Sequence, residues 1–257
     1  MELLEPVENV GSRVVLQLHG GGYIATMKNA YRLFAALYSE LGGNCRVLTI
    51  DYRVAPEHPY PAALEDTIAA YHWLLEQGYP AEKIVVAGDS AGGGLALALC
   101  LWLKNHKEPL PSGVIAMSPW TDLTISGESV ETNFEKDPLF GKTRDSMLYN
   151  KDYLGDNDPT NEYISPLFGD YEGFPPLLIQ VGSYEMLLSD STRVAKKAKE
   201  AGGKVKLSIY EGMFHVFQMA MLLMPESKKA WAEIKRFLHY LDTEENEMQN
   251  ISKEEKA

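Results

Sequence analysis

Ser90 stands in Gly88-Asp89-Ser90-Ala91-Gly92-Gly93, directly after the apolar run Lys83-Ile84-Val85-Val86-Ala87 and directly before Gly94-Leu95-Ala96-Leu97-Ala98-Leu99. A serine in Gly-x-Ser-x-Gly between a strand and a helix sits on a turn so tight that its neighbours must be small. Gly88, Ala91 and Gly92 meet that demand. Such a turn lifts the hydroxyl above the sheet edge and aims the unpaired amides of the helix N-terminus at it, where a developing anion is stabilised. The chemistry this suits is attack of a serine oxygen on a carbonyl carbon. An ordinary Gly-rich turn can share the pattern, so the decision rests on what accompanies it.

Three further features do. His19-Gly20-Gly21-Gly22 follows the first long apolar run, and consecutive glycines let backbone N–H groups face outward with no side chain in the way. Together with the amide of Ala91, the amides of Gly21 and Gly22 are candidates to hold an oxyanion. The serine also needs a base, because an alcohol is almost fully protonated at neutral pH. In chains with such a turn the order is nucleophile, acid, base. Of the histidines after Ser90, His106 comes too early to follow an acid, and His239 falls near the end of an amphipathic helix. His215 lies in the turn Glu211-Gly212-Met213-Phe214-His215 just past the last strand, and is the candidate base. For the acid, Glu185 in Gly182-Ser183-Tyr184-Glu185 is preferred to Asp190, since Asp190 opens the next helix, where an acidic residue serves the cap or dipole. His19 precedes the nucleophile, so it is read as a residue that holds its loop.

The elements that must position these groups alternate. Strands are expected at Arg13–Leu18, Arg46–Asp51, Lys83–Ala87, Gly113–Met117, Leu177–Val181 and Lys204–Tyr210. Helices are expected at Met27–Leu41, Pro61–Glu76, Ala91–Lys104, Ser189–Ala201 and Glu226–Leu241. That alternation predicts an α/β fold, a mostly parallel sheet with helices on both faces. Between Ser118 and Pro176 it lapses into turn clusters, with helical pieces such as Arg144–Leu154 between them. This stretch is expected to lie over the sheet's C-terminal edge, where open α/β sheets bind ligands. Residues 1–242 are read as one catalytic domain and 243–257 as a polar disordered tail.

Composition sets the bounds. The 257 residues are 45% hydrophobic and 23% charged, as in a globular protein. A net charge of −12 argues against nucleic acid and anionic membranes as partners. The longest apolar run, around Leu95–Leu103, is too short to span a bilayer, and no basic apolar leader opens the chain. Cys45 and Cys100 sit in apolar segments and are expected as buried free thiols of a cytoplasmic protein. Neither a metal nor a cofactor is expected.

Taken together, His19–Gly22, Asp51-Tyr52-Arg53-Val54-Ala55-Pro56-Glu57-His58, Gly88–Gly92 and the Gly212–Phe217 turn resemble the hormone-sensitive-lipase-like bacterial carboxylesterases of the α/β-hydrolase superfamily. The resemblance runs from about Leu3 to Leu241. It implies an acyl-enzyme mechanism on short-acyl carboxylic esters, with Ser90, Glu185 and His215 as catalytic residues and Gly21, Gly22 and Ala91 as oxyanion donors. Asp is the commoner acid in that family. The Asp51–Pro61 segment would brace the turn at Ser90. Members usually carry several dozen residues ahead of the glycine loop, as a cap and a first strand. Eighteen residues precede His19 here, so cap and strand are expected to be missing. The resemblance also favours a homodimer built through the last strand and closing helix. Two other readings remain open at this point: an amide or arylformamide hydrolase using the same residues, and a non-catalytic ligand-binding protein on the same fold.

Overall fold

The computed structural model describes residues 1–143 and 145–254, apart from the side chains of 244–254. Its strands are β1 (Glu2–Leu4), β2 (Val14–Leu18), β3 (Arg46–Ile50), β4 (Ile84–Asp89), β5 (Gly113–Met117), β6 (Leu177–Gly182) and β7 (Val205–Tyr210). The helices are α1 (Ala30–Leu41), α2 (Ala62–Glu76), α3 (Ala91–Asn105), α4 (Ser129–Thr132), α5 (Leu188–Glu200) and α6 (Pro225–Glu254). The strands form one sheet in the order β1-β3-β2-β4-β5-β6-β7, parallel throughout except for β1.

Strands β2 to β6 have no exposed side chain, which is why they read as continuous apolar runs. Alternate residues feed two cores. Val14, Leu16, Leu18, Val86 and Ala116 pack with α2, α3 and α5. Val15, Val47, Val85, Ile115 and Leu178 face α1 and α6, around Trp231 and Phe34. Helix α3 is buried on nearly every side from Ala91 to Leu101, so its apolar residues show little one-sided pattern.

Strand β1, absent from the strands expected above, forms one edge of the sheet. It is three residues long, too short to show periodicity, and lies antiparallel to β3. Two ion pairs tie it down: Glu2 with Arg32 at 2.6 Å and Glu5 with Arg46 at 2.7 Å. Of the helical piece expected over Arg144–Leu154, Arg144 lies outside the described residues, and residues 145–154 hold a single 3-10 turn at Met147–Tyr149 in place of a helix. There the Asn150 side chain accepts from the Asp152 amide at 2.7 Å, a local turn that competes with continuing a helix. The α6 backbone continues past Leu241 to Glu254, while most of the expected tail lies outside the fully described residues.

Chain order reverses between β2 and β4. The first strand of the parallel set, β2, is extended outward by β3 on one side, and the chain then crosses to β4 on the other. A crevice forms at such a switch point, outside the carboxyl ends of the strands. The glycine loop leaves β2 there, and the turn at Ser90 leaves β4 beside it. Ser118, Glu185 and His215 follow the carboxyl ends of β5, β6 and β7 in turn. Sheet topology alone therefore gathers the chemistry along one edge.

Candidate active site

Ser90 is the residue between β4 and α3, and it holds φ 53°, ψ −123°, a conformation that L-residues avoid. The surrounding packing enforces it. A Cβ on Gly92 would lie 2.3 Å from the Leu18 carbonyl oxygen and 2.5 Å from that of His19. The start of α3 thus presses directly on the end of β2 and on His19, where the glycine loop begins. The Ser90 amide donates to the Met117 carbonyl at 2.9 Å, and the Ser90 carbonyl accepts from Trp120 at 2.9 Å.

His215 Nε2 lies 2.9 Å from Ser90 Oγ, and His215 Nδ1 lies 3.0 Å from Glu185 Oε2. A carboxylate can only accept, which assigns the ring proton to Nδ1 and leaves Nε2 to accept from the serine hydroxyl. Glu185 is 0% exposed, and His215 is 6% exposed, so both interactions are shielded from water. Phe140 packs against the imidazole at 4.6 Å between ring centres. The second oxygen of Glu185, Oε1, accepts from the Gly182 amide at 2.5 Å and from the Ser118 hydroxyl at 2.8 Å.

Asp190 is placed elsewhere. Its carboxylate accepts from the amides of Thr121 and Asp122 at 2.7 and 2.8 Å, fixing the chain beyond β5. Burial, reinforced by the Asp122 charge, pushes its pKa up to about 7 despite these hydrogen bonds. His239 is exposed on α6. His106, also exposed, stacks on Trp102 at 3.9 Å.

The glycine loop is held by side chains at its back. Gly21 and Gly22 take φ of 120° and 63°, which a side chain would resist. The Gly20 amide donates to the Tyr31 hydroxyl at 2.8 Å, and that hydroxyl donates to Asp89 at 3.1 Å. Burial raises the Asp89 pKa to about 6, with the Tyr31 hydrogen bond acting against the rise. Tyr52, from the Asp51–Pro61 segment, donates to the His19 carbonyl at 2.6 Å and stacks on the His19 ring at 4.0 Å. Burial lowers the His19 pKa, favouring the neutral ring, whose Nδ1 lies 2.8 Å from the Gly20 carbonyl oxygen and props the loop.

A cavity of about 480 Å³ opens over Ser90 and His215. Pro138, Leu139, Phe140 and Met147 line it from the irregular stretch, joined by Phe214 and Met219. The same stretch also grips the turn that carries Glu185. Asn133 donates to the carbonyls of Ser183 and Glu185 at 3.0 and 2.8 Å, and Asp137 accepts from the Met186 amide at 2.8 Å. Among the described residues, no group of three or more His, Cys, Asp or Glu could hold a metal ion.

Sequence reasoning missed Tyr31, Ser118, Asn133 and Asp137. Ser118 carried a usable signal, since it directly follows β5 on the edge where the other groups lie. Tyr31, on the exposed-looking start of a helix, carried none.

The arrangement can transfer a proton from a serine hydroxyl to a buried imidazole while a carboxylate steadies the resulting charge. Proteins of known type resemble the chain as a whole. Residues 15–219 match the family described as the alpha/beta hydrolase fold. An esterase of Acinetobacter venetianus is 42% identical, aligned over 90% of this chain and 76% of its own length. An acetyl-hydrolase of Streptomyces hygroscopicus is 39% identical over 89% and 76%. The crystal structure of an esterase from the bacterial hormone-sensitive lipase family superposes with a TM-score of 0.87 at 41% identity, covering 93% of this chain and 80% of that one.

Proposed function

The chain belongs to the α/β-hydrolase-fold family, among the hormone-sensitive-lipase-like carboxylic ester hydrolases, and on that premise we propose that Ser90, His215 and Glu185 hydrolyse short-acyl esters through an acyl-enzyme. The observation that carries this reading is the continuous line from Ser90 Oγ to His215 at 2.9 Å and on to Glu185 at 3.0 Å.

In this mechanism His215 Nε2 takes the proton of Ser90 as Oγ attacks the ester carbonyl carbon. Negative charge builds on the carbonyl oxygen, and the amides of Gly21, Gly22 and Ala91 are assigned to hold it. One such donor is typically worth about 2.7–4 kcal/mol in the transition state. His215 then protonates the leaving alcohol, and the acyl group remains on Ser90. Water, deprotonated by the same imidazole, attacks the acyl-enzyme and releases the acid. Glu185 keeps the proton on Nδ1 and steadies the imidazolium in both halves.

The apolar lining of the cavity suits an acyl chain, and the name of the Streptomyces relative, acetyl-hydrolase, favours a short one. Residues 1–242 are proposed to act as one catalytic unit, with 118–176 as the insertion over its mouth. The free, buried Cys45 and Cys100 support a reducing, cytoplasmic setting. Among the described residues no helix is long and apolar enough to cross a membrane.

We also assign a homodimer through β7. This strand is the sheet edge with Ile209 49% exposed, and a second cavity of about 350 Å³ runs between it and α6. Unpaired edge strands are templates for pairing with another chain, and two-fold symmetry would place β7 on both sides.

The acyl-enzyme reading is tested by pre-steady-state release of p-nitrophenol from its acetate, butyrate and decanoate esters. It expects a burst of up to one p-nitrophenol per chain where deacylation is the slower step, an acetyl group on Ser90 in acid-quenched turnover, and preference for the two short esters. Turnover with neither burst nor acetylated Ser90, a preference for decanoate, or faster turnover of an N-formyl arylamine would count against it.

A further inference from the structure

The hydroxyl of Ser118 lies where three strand ends meet. Ser118 directly follows β5, is fully buried, and holds φ 47°. Its amide donates to the Gln180 carbonyl on β6 at 2.7 Å, which fixes where the side chain can reach. Oγ lies 2.8 Å from Glu185 Oε1 and 3.1 Å from the amide nitrogen of Val216. The proton has only one place to go. An amide N–H can only donate and a carboxylate can only accept, so Oγ accepts from Val216 and donates to Glu185.

Both partners are groups the proposed mechanism depends on. Val216 follows His215 and holds φ 50°, a left-handed conformation that a β-branched residue resists. The backbone carrying the imidazole is therefore strained, and its next amide is tied to Ser118. Glu185 has one more rotatable bond than the Asp commoner in this family, so its carboxylate has more ways to miss the imidazole. With Oε1 held by Ser118 and by the Gly182 amide at 2.5 Å, only Oε2 remains to face His215.

We propose that Ser118 is a positioning residue for ester hydrolysis, holding Glu185 and the backbone after His215 in register through one hydroxyl. The inference rests on the assignment of Glu185 and His215 made above. Ser118 touches no substrate, and its role is to reduce the freedom of groups that do the chemistry.

The test compares Ser118→Ala with Glu185→Gln and with the double variant, reading kcat and KM on p-nitrophenyl acetate. The low-field proton resonance of His215 Nδ1–H is followed alongside. Alanine keeps the Cβ and the backbone strain that serine already bears. Ser118→Gly, which relaxes that strain, is the second variant if alanine lowers the thermal midpoint. Because ångström-scale misplacement can cost about 100-fold, kcat should fall about 10- to 100-fold with KM unchanged. The Nδ1–H resonance should shift or vanish, and Ser118→Ala should cost little more once Glu185 is Gln. Unchanged kcat, or the same loss in both backgrounds with the resonance unmoved, would overturn the role of Ser118. Full activity in Glu185→Gln would instead overturn the assignment of the acid, and this inference with it.

Discussion

Gly88 and Gly92 face each other across the turn at Ser90 so closely that a Cβ on Gly88 would lie 2.3 Å from the Gly92 carbonyl oxygen. Backbone, not a flexible side chain, occupies that space. A graded series follows: Gly88→Ala and Gly92→Ala should both lose stability, by about 1–3 kcal/mol or more, and lose hydrolysis with it. Gly93→Ala, whose Cβ would meet Pro119 at 3.0 Å, should be milder. Thermal midpoints and specific activity measured together check the order, and a stable, active Gly88→Ala would contradict it.

Ser90→Ala and His215→Ala should each reduce kcat by on the order of 10⁴-fold or more. The double variant should be little worse than either single one, because the two groups act as a unit. His239→Ala, exposed on α6, should leave the rate near wild type. Greater damage from His239→Ala than from His215→Ala would mean that the base has been misassigned.

The two acids near the end of β6 should separate by rate and by pH. Glu185→Gln keeps the shape but removes the charge facing His215, so it should cost far more activity than Asp190→Asn. Asp190 has the clearer effect on stability. Its folded pKa of about 7 lies above the unfolded value of about 4. Between those pH values the unfolded chain releases a proton that the folded chain keeps, so this group makes stability fall as pH rises. Unfolding of Asp190→Asn followed from pH ~4 to ~7 should show a shallower decline than wild type. Identical slopes would remove Asp190 from the account of pH dependence.

Association should depend on β7. Static light scattering at micromolar concentration should give twice the chain mass, and Ile209→Lys, placing charge on the exposed edge, should give the monomer. A monomeric wild type would rule out the proposed dimer.

Much of this molecule was legible because its strands are buried on both faces. Residues 84–87 and 113–117 announce themselves as apolar runs, and Gly88 and Gly92 are required by close backbone approach. Ser90, Glu185 and His215, which the structure brings into one hydrogen-bonded line, each follow a readable strand. What could not be read depends on distant pairing. Strand β1 exists through its antiparallel pairing with β3, more than forty residues away, a contact that leaves no local pattern. The loop carrying Asn133 and Asp137 looked like irregular chain because its order comes from hydrogen bonds to the turn at 183–186. Ser118 has the same origin, since its importance lies in residues 67 and 98 positions away.

The central claim is that Ser90 is the nucleophile, and covalent labelling tests it most directly. The purified protein is treated with a fluorophosphonate, and the modified peptide is identified by mass spectrometry while p-nitrophenyl acetate hydrolysis is followed on the same sample. The account predicts one adduct per chain, on Ser90, with activity falling in proportion to labelling and no adduct on Ser90→Ala. An adduct on another residue, or hydrolysis that persists when Ser90 is fully modified, would contradict it.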